Sequence, residues 1–378
     1  MADQHNELNE QDKRPEHTEH GQGDDQDIAE ALCERVRQAD ADKSPLKIVG
    51  GGTKSFYGRP IEGQPLSLAE HRGITHYDPV ELVISVRAGT PLAEFEAALD
   101  AEGQQLGCES PHFGEGATVG GMIATGLSGP RRPWAGSVRD FVLGTRVITH
   151  QGKHLRFGGE VMKNVAGYDL SRLMVGAQGT LGVVTEISLK VLPKPTASKS
   201  LRLEMSLENA LYRFAEWGRQ PLPITAAAYH DGALHLRLEG GASSVAASME
   251  RLGGDDLDAG FWQDLREQRL AFFDNADPHP LWRLSLPTNT PPLAVSGDVL
   301  YDWAGAQRWL RSDIDADKLR EAAARAGGHA TCYTPGGKGG AVEPFTPLSA
   351  VLAKYHRQLK AQLDPNGIFN PGRLYPEF

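Results

Sequence analysis

Three consecutive glycines, Gly50 to Gly52, precede Thr53, Lys54 and Ser55 and directly follow a short apolar segment, Leu46 to Val49. Successive backbone N–H groups in such a run can converge on an anion such as a pyrophosphate without a basic side chain. The hydroxyls of Thr53 and Ser55 can add further donors. Because glycine clusters are also common in tight turns, the loop alone indicates either a phosphate site or a turn between strands.

Two familiar nucleotide-binding motifs do not fit this loop. A P-loop requires a glycine immediately before its lysine, whereas Thr53 precedes Lys54. The dinucleotide fingerprint G-x-G-x-x-G requires a third glycine where Ser55 stands, and no acidic residue ends a second strand about twenty positions later. The loop therefore supports neither ATP binding nor Rossmann-type NAD binding.

The elements around the loop alternate between helices, strands and glycine turns. Apolar residues spaced by four predict a helix over residues 28–43. Thr90 is expected to cap a second helix, with Pro91 at its first position. Predicted strands are Leu46 to Val49, Leu82 to Arg87, Val142 to Thr149, His154 to Phe157 and Gly182 to Leu192. This alternation indicates an α/β layer.

The second half of the chain has a different pattern. Alternating segments, Thr225 to Tyr229 and Ala233 to Leu238, flank Asp231-Gly232, which is a type I′ hairpin signal. The pattern predicts an antiparallel sheet with helices packed on it, one of them over residues 314–326. A final helix is predicted from Leu348 to Leu363.

Length and composition predict two folded units and an acidic tail. The chain has 378 residues and 40% hydrophobic residues, which is enough for two cores. Residues 1–27 carry seven of the ten net negative charges and almost no apolar side chains, so they are expected to be disordered. The predicted divisions are a tail at 1–27, a first domain at 28–195, a second at 196–345, and a C-terminal helix and tail at 346–378.

Composition also excludes several functions. No basic stripe with interleaved aromatic residues is present, so nucleic acid is not an expected partner. No signal peptide and no transmembrane run of about eighteen apolar residues is found, which predicts a cytoplasmic protein and leaves peripheral attachment to the inner membrane through partners open. Cys33, Cys108 and Cys332 are isolated, so any iron–sulfur cluster must lie on another chain.

The glycine loop becomes specific in combination with four later segments. In order they are Pro111 with Gly116 to Met122, Ser137 to Asp140, Lys163 to Asp169, and Gly179 to Glu186. Together they resemble the FAD-binding domain of the vanillyl-alcohol oxidase and p-cresol methylhydroxylase flavoprotein family. The resemblance implies an α+β fold, in which a PCMH-type FAD-binding domain of two subdomains precedes an α+β cap domain built on an antiparallel sheet.

The resemblance also assigns residues to the cofactor. The pyrophosphate loop would be Gly50, Gly51, Gly52, Thr53, Lys54 and Ser55. The path between flavin ring and diphosphate would be Pro111, Thr118, Gly120, Gly121, Ala124 and Thr125. Ser137 and Asp140 would lie near the pyrophosphate or ribose; Gly182, Val183 and Val184 near the adenine; and Asn370 in a C-terminal element that returns to the flavin.

Some of these positions have an ordinary structural explanation as well. Val183 and Val184 equally suit a core strand, and Asn370 equally suits a turn that ends a helix. Covalent members of the family often attach FAD through a histidine at the first glycine loop, but residues 50–60 contain neither histidine nor cysteine. The FAD is therefore expected to be non-covalent.

Three segments narrow the resemblance within this family. Gly120 to Pro133, Leu281 to Ser285 and Asp364 to Arg373 resemble one subunit of bacterial glycolate oxidases rather than its larger flavin-binding sister. This implies oxidation of glycolate to glyoxylate, with electrons passing through the flavin to an iron–sulfur subunit. A sister FAD-binding catalytic subunit is the second implied partner.

The residues that would act on a small 2-hydroxy acid are less clear from the sequence. Arg283 is the candidate for binding the substrate carboxylate, since a guanidinium binds carboxylates in a bidentate manner; its alternative role is a structural ion pair. The histidines of the second half are isolated, so no metal site is predicted and catalytic residues stay unassigned. The hypotheses are a catalytic subunit, a non-catalytic FAD-bearing electron-transfer or assembly subunit, and a self-sufficient D-lactate or 2-hydroxy-acid dehydrogenase.

Overall fold

The structure is a computed structural model that describes residues 26–159, 169–274, 277–336 and 342–378. The acidic segment 1–25 and the motif residues Lys163 to Tyr168 lie outside the described residues. Within the described ranges, the strands form two large sheets and two short strand pairs.

The first half of the chain contains helices interleaved with a small parallel pair and a five-stranded sheet. Its helices are α1 Ala29–Asp42, α2 Leu92–Ala101, α3 Val119–Thr125, α4 Arg132–Ala135, α5 Val138–Phe141 and α6 Leu170–Leu173. Its strands are β1 Leu46–Val49, β2 Gln64–Ser67, β3 Ile74–Asp78, β4 Val83–Arg87, β5 Gln104–Gln105, β6 Val142–Ile148, β7 His154–Gly158, β8 Val183–Lys190 and β9 Leu192–Pro193.

These strands build the two subdomains that the resemblance implies. β1 and β2 pair in parallel, whereas β3, β4, β8, β6 and β7 form an antiparallel sheet in that order. The buried face of α1, formed by Leu32, Cys33, Val36 and Ala39, joins the same core cluster as Phe95 of α2. Their spacing of three and four residues is what places these side chains on one face.

The predicted start of the second helix is wrong by one residue. α2 begins at Leu92, and Pro91 occupies the cap position with an extended backbone. The Thr90 hydroxyl instead accepts a hydrogen bond from Gly73 N at 2.9 Å and lies 3.3 Å from Gly73 O. The Thr90 hydroxyl, which the sequence assigned to the cap of α2, therefore forms a tertiary contact with Gly73 instead.

The second half of the chain forms one eight-stranded antiparallel sheet, in the order β13, β10, β12, β11, β15, β16, β14, β17. Its strands are β10 Ala197–Glu204, β11 Ile224–His230, β12 Ala233–Gly240, β13 Asp255–Asp256, β14 Leu281–Ser285, β15 Asp298–Asp302, β16 Gln307–Arg311 and β17 His329–Thr334. Its helices are α7 Leu207–Trp217, α8 Ala242–Leu252, α9 Gly260–Arg266 and α10 Ala316–Arg325, with 3₁₀ turns at Ala271–Phe273 and Trp303–Gly305.

The predicted hairpin of this sheet is present. Asp231 and Gly232 connect β11 to β12, and both have positive φ, 50° and 71° respectively. Positive φ at both central residues defines the type I′ turn, whose twist matches that of the flanking strands. The fold is thus α+β with an antiparallel cap sheet, as the sequence predicted.

The end of the chain returns to the first half. Helix α11, Ala350–Leu363, is capped by the Ser349 hydroxyl. Beyond it, Leu46 N of β1 donates to Ile368 O at 2.7 Å, and Asn370 N donates to Leu46 O at 3.1 Å. The last segment therefore extends the β1–β2 pair beside the glycine loop.

A buried cluster of four charges, called here the interdomain ion cluster, joins the two halves. Glu109 and Arg131 belong to the first half, and Arg237 and Glu239 to β12 of the cap sheet. Arg131 Nε lies 3.1 Å from Glu109, Arg237 Nη2 lies 2.8 Å from Glu109, and Arg131 also pairs with Glu239. Each charge therefore has an oppositely charged neighbour, and the cluster forms a direct contact between β12 of the cap sheet and the first half of the chain.

Candidate functional site

A large cleft opens beside the glycine loop, with about 1100 Å³ of empty space that includes its solvent-filled mouth. Its lining residues are Lys47, Ile48, Val49, Gly50, Gly51, Gly52, Thr53, Lys54, Ser55, Ile61, Leu68, Ala88, Thr118, Gly120, Gly121, Ala124, Thr125, Met174, Ala177, Gln178, Gly179, Leu181, Gly182, Val184, Asn370 and Arg373. This set is called the cleft below. Its size is that of a site for a small molecule or cofactor.

The glycines of the cleft allow backbone to pack against backbone. A Cβ on Gly51 would lie 1.4 Å from the carbonyl oxygen of Gly116, and a Cβ on Gly50 would lie 2.6 Å from Thr118 Oγ1. Gly52 differs, because it has φ of +74° and no atom within 4 Å of its added Cβ. The first two glycines thus hold the loop against a neighbouring segment, and the third faces open space.

Helix α3 forms the second wall of the cleft. Thr118 caps it, with its hydroxyl accepting from Gly121 N at 3.1 Å. A Cβ on Gly120 would lie 2.8 Å from both Cβ and O of Ala88, so only glycine lets α3 lie against the end of β4. Small residues therefore leave the space between α3 and the glycine loop free for a ligand.

Asn370 connects three segments of the cleft. Its Oδ1 accepts from Ile48 N at 2.8 Å, and its Nδ2 donates to Gln178 O at 2.6 Å. The side chain therefore links β1, the turn before β8 and the C-terminal segment. Asn370 itself has φ of +40°, which asparagine tolerates better than most residues. The positions of both neighbours thus depend on this amide.

All charged side chains among the described residues that line the cleft are cationic. Three cationic side chains, Lys47, Lys54 and Arg373, line it, and no aspartate or glutamate is among its lining residues. Arg373 donates to Gln178 Oε1, Ser55 O, Tyr57 O and Arg59 O at 2.6–3.1 Å, all of them neutral acceptors. A half-buried cation with no ion-pair partner among the described residues favours an anionic ligand.

Lys54 is a second buried cation at this site. Its Nζ donates to His112 O at 3.2 Å and lies 5.8 Å from the centre of the Phe113 ring. Desolvation lowers the Lys54 pKa to about 8, although the nearby Glu267 carboxylate opposes the shift and Arg266 adds to it. A bound anion would raise this pKa again, which couples its binding to proton uptake above neutral pH.

The structure brings most of the predicted cofactor residues together. Fourteen of the eighteen line the cleft, and the exceptions are Pro111, Ser137, Asp140 and Val183. Ser137 donates to Asp140 through both N and Oγ at 2.8 Å, so these two residues form a capping box at the start of α5. Val183 is fully buried in β8, whereas the next residue, Val184, lies on the cleft side.

Sequence reasoning missed several lining residues. Arg373, Gln178, Met174 and Ala88 reach the cleft from separate parts of the chain. Arg373 follows Asn370 by three residues in the C-terminal segment, so its proximity to a predicted site residue was the available signal. The other three carry no motif, since only the tertiary fold brings them to the cleft.

A second, smaller cavity lies between the two halves and has about 320 Å³ of empty space. Its lining residues are Pro111, Phe113, Leu127, Ser128, Gly129, Pro130, Leu265, Arg266, Gln268, Arg283, Asp302, Gln307, Trp309 and Tyr333. It is called the interdomain cavity. Its segment at residues 111–113 also contacts the glycine loop, where Thr53 Oγ1 donates to His112 O at 2.7 Å.

Arg283 enters the interdomain cavity from β14. Its Nη2 donates to the Tyr57 hydroxyl at 3.3 Å, and its guanidinium lies 5.7 Å from the centre of that ring. Among the described residues, no carboxylate lies within 4 Å of it, so the structural ion pair considered as an alternative is not found there. Asp302 lines the same cavity, and burial raises its pKa to about 7, although hydrogen bonds from Trp303 N and Gln307 Nε2 oppose the shift.

The histidines of the cap are dispersed. His235 stacks on Phe261, and burial lowers its pKa to about 4. His279 lies 2.7 Å from Asp277, while His356 packs against Tyr375 and Phe378. Over the described ranges, no group of three His, Cys, Asp or Glu side chains is arranged to hold a metal ion. No described helix is long and apolar enough to cross a membrane.

Comparisons with known proteins relate the first half of the chain to flavoproteins. The profile of the "FAD binding domain" family matches residues 27–158. The glycolate oxidase subunit GlcE of Escherichia coli K12 is 59% identical over 351 residues, which cover 93% of this chain and 98% of that protein.

Other relatives share only part of their length with this chain. The glycolate oxidase subunit GlcD of Bacillus subtilis is 36% identical over 159 residues, covering 42% of this chain and 34% of that protein. A D-lactate dehydrogenase of Archaeoglobus fulgidus is 31% identical over 199 residues, covering 52% and 44%. A solved alkyldihydroxyacetonephosphate synthase superposes with a TM-score of 0.63 over 90% of this chain and 75% of its own; at 16% identity, this likeness concerns the fold alone.

Proposed function

This chain belongs to the family of the glycolate oxidase subunit GlcE, and from this premise we propose that it binds one FAD non-covalently and serves in a complex that oxidises glycolate to glyoxylate. The observation that carries the proposal is the cleft, in which three cations and a glycine loop face one space and no carboxylate is found among the described lining residues. When bound, FAD would supply the two-electron oxidation of the 2-hydroxy acid.

The cleft residues suit FAD in both charge and shape. Gly52 leaves open space above the loop, so the backbone there can approach a diphosphate closely. Lys54 and Arg373 supply positive charge for the cofactor phosphates, because their hydrogen-bond acceptors in the protein are neutral and the nearby Glu267 carboxylate offsets only part of the Lys54 charge. We assign Ser137, Asp140 and Pro111 to the support of this site, since they lie outside its lining.

The substrate carboxylate is assigned to Arg283. This guanidinium lies in the interdomain cavity with a tyrosine hydroxyl and an aromatic ring as partners, and no described carboxylate neutralises it. A two-carbon hydroxy acid suits a cavity of this small volume. Asp302 lines the same cavity and has a pKa of about 7, so its carboxyl group can hold or release a proton near pH 7.

The partners belong to the same proposal. GlcE and GlcD are both named as glycolate oxidase subunits, which supports a complex with a sister FAD-binding catalytic subunit. An iron–sulfur subunit is proposed as the electron acceptor, because the three cysteines of this chain are dispersed. The proposed location is the cytoplasm, with attachment to the inner membrane through these partners.

Anaerobic visible spectroscopy of the purified chain tests the proposal. We expect flavin absorbance, or its recovery after adding FAD. Bleaching on addition of glycolate or D-lactate to the single chain identifies a catalytic subunit; bleaching only after the sister subunit is added identifies an electron-transfer subunit. A chain that neither contains nor takes up FAD contradicts the central claim.

Arg283→Met separates substrate binding from flavin binding. We expect wild-type FAD affinity and at least about a tenfold rise in the glycolate concentration needed for half-maximal reduction, because a charge-assisted bidentate pair is lost. Arg325→Met is the matched control, since Arg325 is exposed on α10 and its ion pair in the described part of the chain is with the exposed Glu321. If both substitutions changed the glycolate concentration for half-maximal reduction equally, the assignment of Arg283 to the substrate site would be wrong.

A further inference from the structure

The C-terminal helix α11 exposes an unusual number of apolar side chains. Among the described residues, eight large apolar side chains are exposed, and three of them lie on this helix. Val351 is 64% exposed, Leu352 51% and Tyr355 60%. Val351 and Tyr355 are four residues apart, so they lie on the same face, with Leu352 beside them. Contiguous exposed apolar residues of this kind mark interaction surfaces more often than isolated ones do.

The opposite face holds α11 firmly to the protein. Lys360 is the buried residue of the helix, and its ammonium donates to Thr180 O at 2.7 Å, Phe369 O at 2.8 Å and Asp364 Oδ2 at 2.6 Å. The His356 ring packs against Tyr375 and Phe378 on the same side. The helix is thus held through Lys360 and the half-buried Leu359 and Leu363, while Val351 and Tyr355 lie on the side that faces away from this anchor.

The charge on the exposed face narrows the type of partner. Lys354 and Arg357 are exposed, and residues 344–363 contain no aspartate or glutamate, although the whole chain has a net charge of −10. A symmetric contact between two copies would place the same cations against each other. A surface with carboxylates around an apolar patch complements this face instead.

We propose that the exposed first turns of α11, centred on Val351 and Tyr355 and flanked by Leu352, Lys354 and Arg357, are a docking surface for another protein subunit. The partner presents an apolar patch bordered by carboxylates. This inference rests on the proposed function, which places the chain in a complex. Tyr355 is the central anchor, since aromatic residues contribute strongly to interface affinity, and the two cations select and orient the partner.

The test uses the full chain, purified through an affinity tag after co-expression with the sister flavin-binding subunit and the iron–sulfur subunit. Tyr355→Glu and Val351→Glu should each weaken retention of a partner subunit at least about tenfold in Kd. The double variant Lys354→Glu with Arg357→Glu should do the same and reduce the salt dependence of binding. Tyr212→Glu is the matched control, because Tyr212 is 66% exposed on α7 in the cap.

Thermal unfolding and FAD content of each variant should equal those of the wild type, because the altered side chains are exposed. The proposal is overturned if both Glu variants keep wild-type Kd values for the two subunits. It is also overturned if the variants abolish only self-association, or only binding to anionic phosphatidylglycerol vesicles, with the complex intact. If the wild-type chain itself retains neither subunit, the proposed complex fails together with this surface.

Discussion

The glycine loop gives the sharpest test of the cleft, through two neighbouring residues with opposite surroundings. In Gly51→Ala the new Cβ would lie 1.4 Å from Gly116 O, so the two backbone segments must separate by about 2 Å to reach ordinary contact. Overpacking of this kind costs typically about 1–3 kcal/mol and sometimes more. In Gly52→Ala the methyl group meets no protein atom, and the positive φ alone costs about 1–2 kcal/mol.

The assay combines thermal unfolding of the FAD-free chain with a fluorescence titration of FAD. We expect Gly51→Ala to lower both the unfolding temperature and the FAD affinity, because the loop and the Gly116 segment move apart. Gly52→Ala should lower the FAD affinity at least about tenfold with a smaller loss of stability, because its methyl group occupies ligand space. Gly103→Ala is the control for backbone strain, since Gly103 has φ of +64° and open surroundings outside the cleft.

Three outcomes would refute this reasoning. Wild-type FAD affinity in Gly52→Ala would mean that the open side of the loop does not face the cofactor. Wild-type stability in Gly51→Ala would mean that the loop does not depend on its contact with Gly116. An equal loss of FAD affinity in Gly103→Ala would mean that backbone strain at a positive φ, and not occupied ligand space, causes the effect.

Three further predictions concern the buried Lys360, the titration of Asp302 and the attachment of FAD. Lys360→Met should cost about 3–5 kcal/mol in unfolding free energy, because it leaves the fully buried Asp364 without its cation, whereas Lys354→Met on the exposed side of the helix should be nearly neutral in the same urea titration. The Asp302 pKa of about 7 lies above its ordinary 3.8, so folding favours the protonated form. The unfolding free energy should therefore fall as pH rises from about 4 to 7, by at most about 4 kcal/mol, and a flat difference between wild type and Asp302→Asn over that range would contradict this. Acid precipitation should release FAD into the supernatant, because residues 50–60 lack histidine and cysteine; yellow colour retained in the pellet would argue against non-covalent binding.

Local sequence signals predicted the parts of the fold that depend on neighbouring residues. Asp231-Gly232 forms the expected turn because its φ angles are set within the turn itself. β8 shows the limit of such signals: a period of two predicts that Val183 and Val184 face opposite sides, but it does not say which one faces the cleft. The burial of Val183 is decided by the sheet that packs against it.

Contacts between distant segments were not predictable in the same way. Thr90 has the residue type of a helix cap, yet its hydroxyl bonds to Gly73. The interdomain ion cluster joins Glu109 and Arg131 to residues more than a hundred positions later, with no motif to signal the pairing. Arg283 was identified by type, but its lack of a described carboxylate partner is a property of the folded sheet.

The return of the C-terminus to β1 has a consequence for when the protein can receive its cofactor during synthesis. Asn370 bonds to Ile48 N across 322 residues, and Arg373 reaches the carbonyls of residues 55 and 57. The ribosome makes the entire glycine loop early, but the cleft lacks two of its lining side chains, Asn370 and Arg373, until residues 370–373 leave the exit tunnel. We therefore expect a chain truncated before residue 364 to be recovered without flavin, because it lacks both side chains and the contact of the C-terminal segment with β1. Cofactor binding would then depend on synthesis of the segment that contains Asn370 and Arg373, and products that lack this segment would remain colourless.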